Sequence, residues 1–583
     1  MTSLLGKDFR QHSETIARNF LQTIMVVDDL AYFEERESIA KHTELLLPGS
    51  PRFTDGVVAE EEAEALLAVE TESDSLQRKG NPDPENVERE LSEDKAHKLN
   101  AKKLIGDFAE KGMVCAVIKP EDIEVATLED KVYPLAENSD IVVFDWVLGN
   151  DISGEKVKEL IGKITKSSSE EEKRLRLIVV YTGQLNLIAI TKQIKKALKD
   201  DQGLKVKNEN PYTLISGSVR IAVYAKGYVT PPRANEELAA RVIPIEQMPD
   251  KLIDEFTDMT MGLVSNVAVQ SLAALRSNTH HILSKFHPGI DAPFLSHRAM
   301  LTQPEDAGNL LIYLIGAELT AILDGVEVSK VADEHDGNDI IRAWLDMKEK
   351  GGQEFAARFP TGSPASVLSD LCKLLRKGIG DDSLREELKA FKNNPHKKEL
   401  TKKFSDTKAS ATDLEHQFAI LTSIKSDYRV RPPALLPGSL LKETRQKDNV
   451  KKTFYWVCIQ PICDCVRIKE RRAFPLLELK VVPENSSFDL VLPERRKGYV
   501  HVKTIYSPYR SRMEEFDPSG DGSQMVRAES KKGGHYFKSA KGKCYQWIAE
   551  LKFEQAQRIV NEYAAKISRV GLDESEWLRR WAS

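Results

Sequence analysis

Polar side chains that could do chemistry stand directly after several apolar runs of this sequence. One continuous run of β-branched and aromatic residues ends at Asp145, and such a run predicts a strand that is buried on both faces. Similar runs end in the acid pair Asp28 and Asp29, in the hydroxyl of Thr182 and in the amine of Lys226. Open parallel sheets bind their ligands at the carboxyl ends of the strands. Packing alone therefore explains these polar endings poorly.

The carboxylates of Asp28, Asp29 and Asp145 would converge if their strands were neighbours in one sheet. Like charges at short range raise one another's pKa unless a cation offsets them. Hard oxygen ligands with open positions suit Mg²⁺, which keeps several waters and bridges phosphate oxygens. A carboxylate can also attack a phosphoryl group to give an aspartyl phosphate. Each residue alone could be a helix cap, a turn acid or a solvated side chain, but the ordered set favours a phosphoryl site.

The order acid pair, acid, hydroxyl, amine resembles the receiver domain of two-component response regulators. The resemblance covers roughly residues 18 to 235. It implies an α/β fold: a doubly wound, parallel five-stranded receiver domain of the flavodoxin-like type, with insertions. It also implies a phosphoacceptor rather than an enzyme, with Mg²⁺-dependent self-phosphorylation and self-dephosphorylation as its only chemistry.

The resemblance implies a role for each matching residue. Asp145 would be the phosphoacceptor. Lys226 would pair with one phosphoryl oxygen, and Thr182 would donate its hydroxyl to another and move toward it as the switch residue. The ligands of Mg²⁺ would be three carboxylates and one main-chain carbonyl, from Asp28, Asp29, Asp145 and Val147.

Two positions depart from the family pattern. The family usually has proline after the lysine, but this chain has Gly227, which leaves the loop geometry open. The aromatic partner of the switch hydroxyl usually lies three residues before the lysine, where this chain has Val223. Tyr224 comes one residue later and should face the other side of the sheet. The activation relay is therefore also open.

A long insertion separates the first strand from the first helix that fits the family pattern. It spans about residues 31 to 91, and the helix is predicted near 92–111. The insertion contains a candidate acidic helix at 58–70 and a Gly/Pro breaker cluster at 80–84. Because it overhangs the predicted site, it could be a lid or partner-docking element, or else a disordered loop.

Length and composition indicate a multidomain cytoplasmic protein. The chain has 583 residues and a formal net charge of −6, too small to argue for or against a nucleic-acid partner. We predict a receiver domain at 1–235, a helical middle domain at 236–430 and a C-terminal α+β domain of unknown type at 431–583. The N-terminus lacks the apolar core of a signal peptide. Six sparse cysteines suggest reduced thiols.

Helical spacing dominates the middle of the chain. A helical run is predicted from residue 249 to about 285, with an apolar stripe that could be core packing, a dimer seam or a signalling helix. The most apolar run, 309–323, is too short to cross a bilayer and carries Glu318. We predict that it is a helix in a soluble core, with no membrane involvement.

Three other groups of residues are candidate sites. Cys458, Cys463 and Cys465 could hold zinc, but no paired CxxC is present and two of them alternate as on a strand. The pair His280-His281 could mimic a kinase phosphohistidine, but no ATP-binding motif accompanies it. The stretch 531–545 alternates basic and aromatic residues, and with 495–497 it could bind nucleic acid.

The resemblance predicts a response regulator that takes phosphate from a sensor histidine kinase and relays or buffers the signal. Segments 286–294 and 568–579 look like the stand-alone receiver proteins of Detocs-type bacterial antiphage two-component systems. That likeness would imply a separate effector protein with its own receiver. The alternative is a phosphorylation-controlled regulator whose C-terminal domain binds nucleic acid. A homodimer is possible in either case.

Overall fold

In the computed structural model, the chain forms two compact units, residues 1–352 and 353–583. The three predicted domains, with limits at 235 and 430, stay a prediction. Most of the insertion, its candidate acidic helix, residues 495–497 and nearly all of segment 568–579 lie outside the described residues. The structure describes residues 8–33, 99–120, 125–167, 175–200, 202–230, 235–332, 334–335, 338–351, 355–359, 363–389, 391, 397–405, 411–447, 450–494, 498–568 and 580.

The first unit is built on an eight-stranded sheet. Its strands are β1 (Thr23–Val27), β2 (Val114–Ile118), β3 (Ile141–Phe144), β4 (Arg176–Thr182), β5 (Lys207–Asn210), β6 (Thr213–Ser216), β7 (Val219–Lys226) and β8 (Val242–Ile243). Five of them run parallel in the order β2-β1-β3-β4-β7. This is the 2-1-3-4-5 order of flavodoxin-like folds, so the predicted fold class is confirmed.

Three strands of this sheet were not predicted. The segment before β7 was expected to be a polar loop up to residue 210, but it contains β5 and β6, an antiparallel hairpin that pairs with β7. Neither strand has the long apolar run that marks a buried strand. The third, β8, is two residues long and pairs in parallel with the end of β7.

Helices cover both faces of the sheet. They are α1 (Phe9–Phe20), α2 (Ala101–Glu110), α3 (Val125–Asn138), α4 (Glu155–Lys166), α5 (Leu187–Asp200), α6 (Glu236–Ala239) and α7 (Met248–Thr260). One core includes residues of α1, α2 and α7, and the other includes residues of α3, α4 and α5. Burial on both faces is why the central strands are continuously apolar. Sequence reasoning missed α3, whose internal Pro134 disguises the helical pattern.

The helical run predicted from 249 to 285 is two helices. The first is α7, and the second is α8 (Leu263–Lys285); the chain is broken between them at Met261 and Gly262. Leu252 and Phe256 of the apolar stripe are buried in the core beside α1. This part of the stripe is therefore core packing.

The first unit ends in further helices and a short hairpin. These are α9 (Asp291–Met300), α10 (Ala307–Gly325), the 3₁₀ turn Val328–Ala332, β9 (Glu334–His335), β10 (Asn338–Asp339) and α11 (Ile340–Lys350). The prediction that 309–323 forms a helix is confirmed, but its placement in a core is wrong. Of the described side chains of α10, only Ala307 is buried.

The second unit begins with four helices, α12 (Pro364–Lys377), α13 (Glu386–Lys389), α14 (Lys397–Phe404) and α15 (Ala411–Ser423). Three match the helices predicted near 364–377, 384–392 and 410–425. The fourth corrects a prediction, because 392–408 was expected to be an exposed connection. The basic composition of α14 hid it from sequence reasoning.

A curled antiparallel sheet forms the rest of the second unit. Its elements are β11 (Ser439–Lys447), β12 (Val450–Cys458), β13 (Arg472–Val481), β14 (Leu490–Glu494), β15 (Gly498–Thr504), β16 (Arg512–Phe516), β17 (Glu529–Lys531), β18 (Gly534–Lys538), β19 (Cys544–Glu550) and the helix α16 (Phe553–Ile567). The order is β14-β15-β13-β12-β11-β19-β18-β17, and β16 pairs with β13. Consecutive residues such as Leu440 and Leu441 belong to different apolar cores, so the sheet has a core on each face.

Candidate functional site

The predicted site residues end neighbouring parallel strands of the first sheet. Asp28 and Asp145 each follow a residue of β1 or β3, and those two residues pair with each other. Lys226 ends β7, one position beyond the residue that pairs with Thr182 of β4. The parallel register therefore brings all of these side chains to one edge of the sheet, and Asp29 follows directly after the first acid.

Lys226 joins the two buried acids. Its Nζ donates hydrogen bonds to Oδ2 of Asp28 at 2.8 Å and to Oδ2 of Asp145 at 2.5 Å. The three residues are 3%, 1% and 5% exposed, respectively. A buried charge requires a partner, and here one ammonium group serves two carboxylates.

The charge balance of this cluster remains negative. Burial first, and then the charge of Asp28, raise the pKa of Asp145 to about 6, although Lys226 acts in the opposite direction. Burial lowers the pKa of Lys226, but the two carboxylates outweigh that effect and raise it. The excess of buried negative charge is the condition under which a further cation would be favoured.

The loop after β3 closes the cluster from one side. The amide of Gly149 donates a hydrogen bond to Oδ2 of Asp29 at 2.7 Å, and Gly149 has a positive φ of 63°. This turn thus suits glycine. The amide of Val147 lies 3.4 Å from Oδ1 of Asp145. The predicted role of the Val147 carbonyl as a metal ligand stays a prediction.

The donor set fits a hard divalent cation. Asp28, Asp29 and Asp145 each offer one carboxylate oxygen, and these oxygens lie within 4.8 Å of one another. Oxygen ligands from one to a few carboxylates, with positions left for water and phosphate, are what Mg²⁺ takes in proteins. Among the residues that the structure describes, this is the only group of three metal-ligating side chains found so close together.

Thr182 lies beside the ion-paired cluster, and two tyrosines that sequence reasoning missed flank it. Its hydroxyl accepts a hydrogen bond from the amide of Gln184 at 3.2 Å. The ring of Tyr181 lies 5.9 Å from Nζ of Lys226, and its hydroxyl donates to a carbonyl of β8. The hydroxyl of Tyr228 lies against Gly183: a Cβ atom added to Gly183 would be 2.4 Å from the hydroxyl oxygen of Tyr228. The signal available in the sequence was an aromatic residue next to Thr182 or two positions past Lys226.

The comparisons with known proteins agree with this geometry. Residues 20–230 match a family whose description is "Response receiver domain". This part of the chain is a response receiver domain. No curated protein and no solved structure matches the chain. Receiver domains generally bind Mg²⁺ at an acidic pocket, which is where the three carboxylates of this chain converge.

The receiver domain departs from its family as expected at Val223 and Tyr224. Val223 packs in the core that contains α4 and α5, whereas Tyr224 packs in the opposite core. The hydroxyl of Tyr224 donates to the buried carboxylate of Glu255 on α7. The aromatic ring on β7 thus points away from the face that the family uses.

The three cysteines of the candidate zinc site differ in their burial. Cys458 and Cys465 lie in one apolar core of the second unit, and Cys463 is exposed. Burial raises the pKa of Cys458 to about 12. The alternation of Cys463 and Cys465 on a strand was wrong, because Cys463 lies in the 3₁₀ turn Ile462–Asp464 and Cys465 directly follows it.

The other two candidate sites, His280-His281 and the stretch 531–545, lie in different units. His280 and His281 are exposed on α8. The basic and aromatic stretch 531–545 extends from the end of β17 into β19, and two of its rings, Phe537 and Tyr545, are buried. The two other rings of that stretch, His535 and Tyr536, are half-buried. In the part of the chain that the structure describes, no helix has the length and apolarity needed to cross a membrane.

Proposed function

We propose that this protein is a response regulator that accepts a phosphoryl group on Asp145 from a partner histidine kinase. The observation that carries the proposal is the cluster of Asp28, Asp29, Asp145 and Lys226 at the carboxyl edge of a receiver sheet. Phosphoryl transfer requires positioning and charge neutralisation more than covalent help from the protein. The fixed side chains at this edge support the positioning, and Lys226 would supply part of the charge neutralisation.

The reaction would use one carboxylate as the nucleophile. An oxygen of Asp145 forms the new bond to phosphorus while the bond from phosphorus to the donor, a phosphohistidine nitrogen or a small phosphodonor, breaks. Lys226 already contacts Asp145, so its ammonium group is placed to offset charge on the product. Thr182, at the neighbouring strand end, would donate its hydroxyl to a phosphoryl oxygen.

A divalent cation would complete the site. The ligands would be Asp28, Asp29 and Asp145, with the Val147 carbonyl as the family-based fourth. Bound Mg²⁺ would supply charge neutralisation at the phosphoryl oxygens. The raised pKa of Asp145 supports this proposal, because it means that the ionised carboxylate is disfavoured when no cation is bound. A cation among the three acids would favour the ionised form, which is the form that acts as nucleophile.

The fate of the signal is a finer proposal. We propose that the helices after the receiver and the second unit relay or sequester the phosphorylated state, and that the protein buffers phosphate in a bacterial antiphage two-component system. The support is the likeness of segments 286–294 and 568–579 to Detocs-type receiver proteins. The partner kinase should then also phosphorylate an effector protein that has its own receiver. A phosphotransfer assay with the purified kinase, this protein and the effector tests this.

The decisive experiment for the site is phosphate incorporation by the full chain. The protein is incubated with a small phosphodonor and Mg²⁺, and the product is detected by intact-mass spectrometry. Asp145→Asn keeps the shape of the side chain but removes the nucleophilic charge, so labelling should fall to background. EDTA should abolish labelling of the wild-type protein.

A matched control lies in the same loop. Asp151 follows the acceptor by six positions, and its carboxylate accepts hydrogen bonds from Ser153 and from the Lys156 amide at the start of α4. Asp151→Asn removes the same charge but should leave labelling at the wild-type level. Full labelling of Asp145→Asn, or labelling that survives EDTA, would overturn the proposal.

A further inference from the structure

The first unit carries a helical arm that has almost no core of its own. We define the arm as residues 277–326, which comprise the second half of α8, all of α9 and α10 and the turns between them. Of the described side chains in this range, Ala307 is the only buried one. A helix or helical hairpin is stable in water when it buries an apolar stripe against another element. The arm within a single chain does not meet this condition.

The apolar surface that the arm leaves open is large. Nine of its large apolar side chains are between 37% and 80% exposed, namely Leu283, Leu295, Met300, Leu310, Ile312, Tyr313, Leu314, Ile315 and Val326. Side chains of this size and exposure leave on the order of 1,000 Å² of apolar surface in water, more than the few hundred Å² of a typical monomer patch. That area is comparable with the roughly 800 Å² that each partner of a standard interface contributes.

The distribution of these side chains indicates permanent burial. Ile312, Tyr313, Leu314 and Ile315 are consecutive, so they point to every side of α10 rather than to one stripe. A helix that is apolar all round is normally buried rather than left in water. Only two residues of α10 are charged, Glu318 and Asp324, and the first is paired with Lys285 of α8. A partner that comes and goes, such as a kinase, would leave this helix in water between encounters.

We infer that the arm is the dimer interface of this protein, and that the arms of two copies pack into a bundle of four long helices. In each copy α8 and α10 already pack against each other, which makes half of such a bundle. A two-fold axis makes one surface serve both partners, so an apolar face with few charges is self-complementary. Obligate dimer interfaces are more apolar than transient ones. The apolar composition of the arm is typical of an obligate interface.

The dimer would be rigidly coupled to the receiver. The first half of α8 packs against α1, and Arg276 just before the arm holds Asp140 at the start of β3 with contacts of 2.8 and 3.1 Å. The same Arg276 donates to the Phe20 carbonyl at 2.9 Å. The two receivers of a dimer would therefore be held at a fixed position relative to the bundle.

The first test is the mass of the full chain in solution, measured by light scattering after size-exclusion chromatography over a range of concentrations. The expected mass is twice the 65.6 kDa of one chain. Ile312→Glu should raise the dimer dissociation constant at least about thirtyfold, as loss of a central interface side chain does. Ile152→Glu is the matched control: Ile152 is 72% exposed in the loop after β3, at the opposite end of that strand from Arg276, and the change should leave the dimer unchanged.

The second test holds even if a variant folds poorly. A photo-crosslinking amino acid replaces Tyr313, and heavy-isotope and unlabelled copies are mixed before irradiation. Crosslinks between a heavy and a light arm are the expected product. A wild-type protein that is monomeric at every concentration, or crosslinks that join the arm only to residues 353–583 of the same copy, would overturn the inference.

Discussion

A Cβ atom added to Gly227 would lie 2.6 Å from the Cα atom of Pro244. Gly227 follows the lysine of the site, where receiver domains usually have proline, and Pro244 follows β8. Because β8 pairs with the end of β7, its backbone occupies the space that a side chain on residue 227 would need. The added strand therefore gives a physical reason for the departure from the family pattern.

Gly227→Ala should destabilise the protein. The new methyl group meets backbone atoms of Pro244 that cannot move away without shifting β8, and overpacking of this kind costs about 1–3 kcal/mol. Gly106→Ala is the control, because Gly106 lies in α2 with nothing within 4 Å of its added Cβ. That change should stabilise the helix by about 0.5–1 kcal/mol. Urea denaturation of both variants gives the comparison, and equal stabilities would contradict this account of Gly227.

Glu255→Gln should be among the most destabilising substitutions of a buried residue in the first unit. The buried carboxylate of Glu255 contacts Arg220 at 2.7 Å and Arg241 at 3.1 Å, and it accepts a hydrogen bond from Tyr224. Removing one partner of a buried charge network costs about 3–5 kcal/mol. The measurement is the free energy of unfolding at neutral pH.

The control for that variant is an exposed pair of the same type. Glu14 contacts Arg18 at 2.8 Å one turn away in α1, with both side chains at least 30% exposed. Glu14→Gln should change the free energy of unfolding by less than about 1 kcal/mol. If the two variants lose similar stability, the buried network of Glu255 contributes no more to the free energy of unfolding than an exposed ion pair does.

Sequence patterns predicted the parallel sheet because its strands are continuous apolar runs with polar ends. The same reasoning missed β5 and β6, which carry no such run, and α3, whose proline breaks the helical pattern. It also placed 309–323 in a core. An all-round apolar pattern indicates burial, but it contains no information on whether the covering surface belongs to the same chain or to another.

The candidate site was more predictable than the fold around it. The acid pair, Asp145, Thr182 and Lys226 were found because each ends a strand, and the register brings them to one edge. Tyr228 was not found, since its proximity to Gly183 depends on the path of the loop after β7. The sequence shows that position 223 is not aromatic. It does not show that the neighbouring Tyr224 donates a hydrogen bond to Glu255 on the other side of the sheet.

Lys226→Ala should separate phosphorylation from its conformational effect. The amine contacts Asp145, so some phosphorylation should remain without it, but the product charge would lose its buried partner. A contact with a charged group contributes about 1.5–3 kcal/mol, which is roughly a tenfold to a hundredfold change in an equilibrium. Intact-mass spectrometry measures the labelling, and hydrogen exchange of β7 and α7 measures the response. A labelled variant whose exchange changes as much as that of the wild type would refute the role of Lys226.

Asp145 should make stability depend on pH in an unusual direction. Burial, and then the charge of Asp28, raise its pKa from 3.8 to about 6 in the folded protein. Between those two values the folded state binds more protons than the unfolded state, so the contribution of this group to the free energy of unfolding falls as pH rises. Above about pH 6 the whole penalty of the buried charge is present.

Asp145→Asn removes that penalty, so the variant should gain stability over the wild type as pH rises. In EDTA, the difference in the free energy of unfolding should grow by on the order of 1–3 kcal/mol between about pH 4 and pH 7.5. Adding Mg²⁺ at the higher pH should stabilise the wild type more than the variant, because the cation binds the ionised carboxylate and the amide is a weaker ligand. Urea denaturation at several pH values, with EDTA or with Mg²⁺, measures both effects. A difference that stays constant with pH would show that Asp145 is ionised without strain, and equal stabilisation of both proteins by Mg²⁺ would place the cation away from this carboxylate.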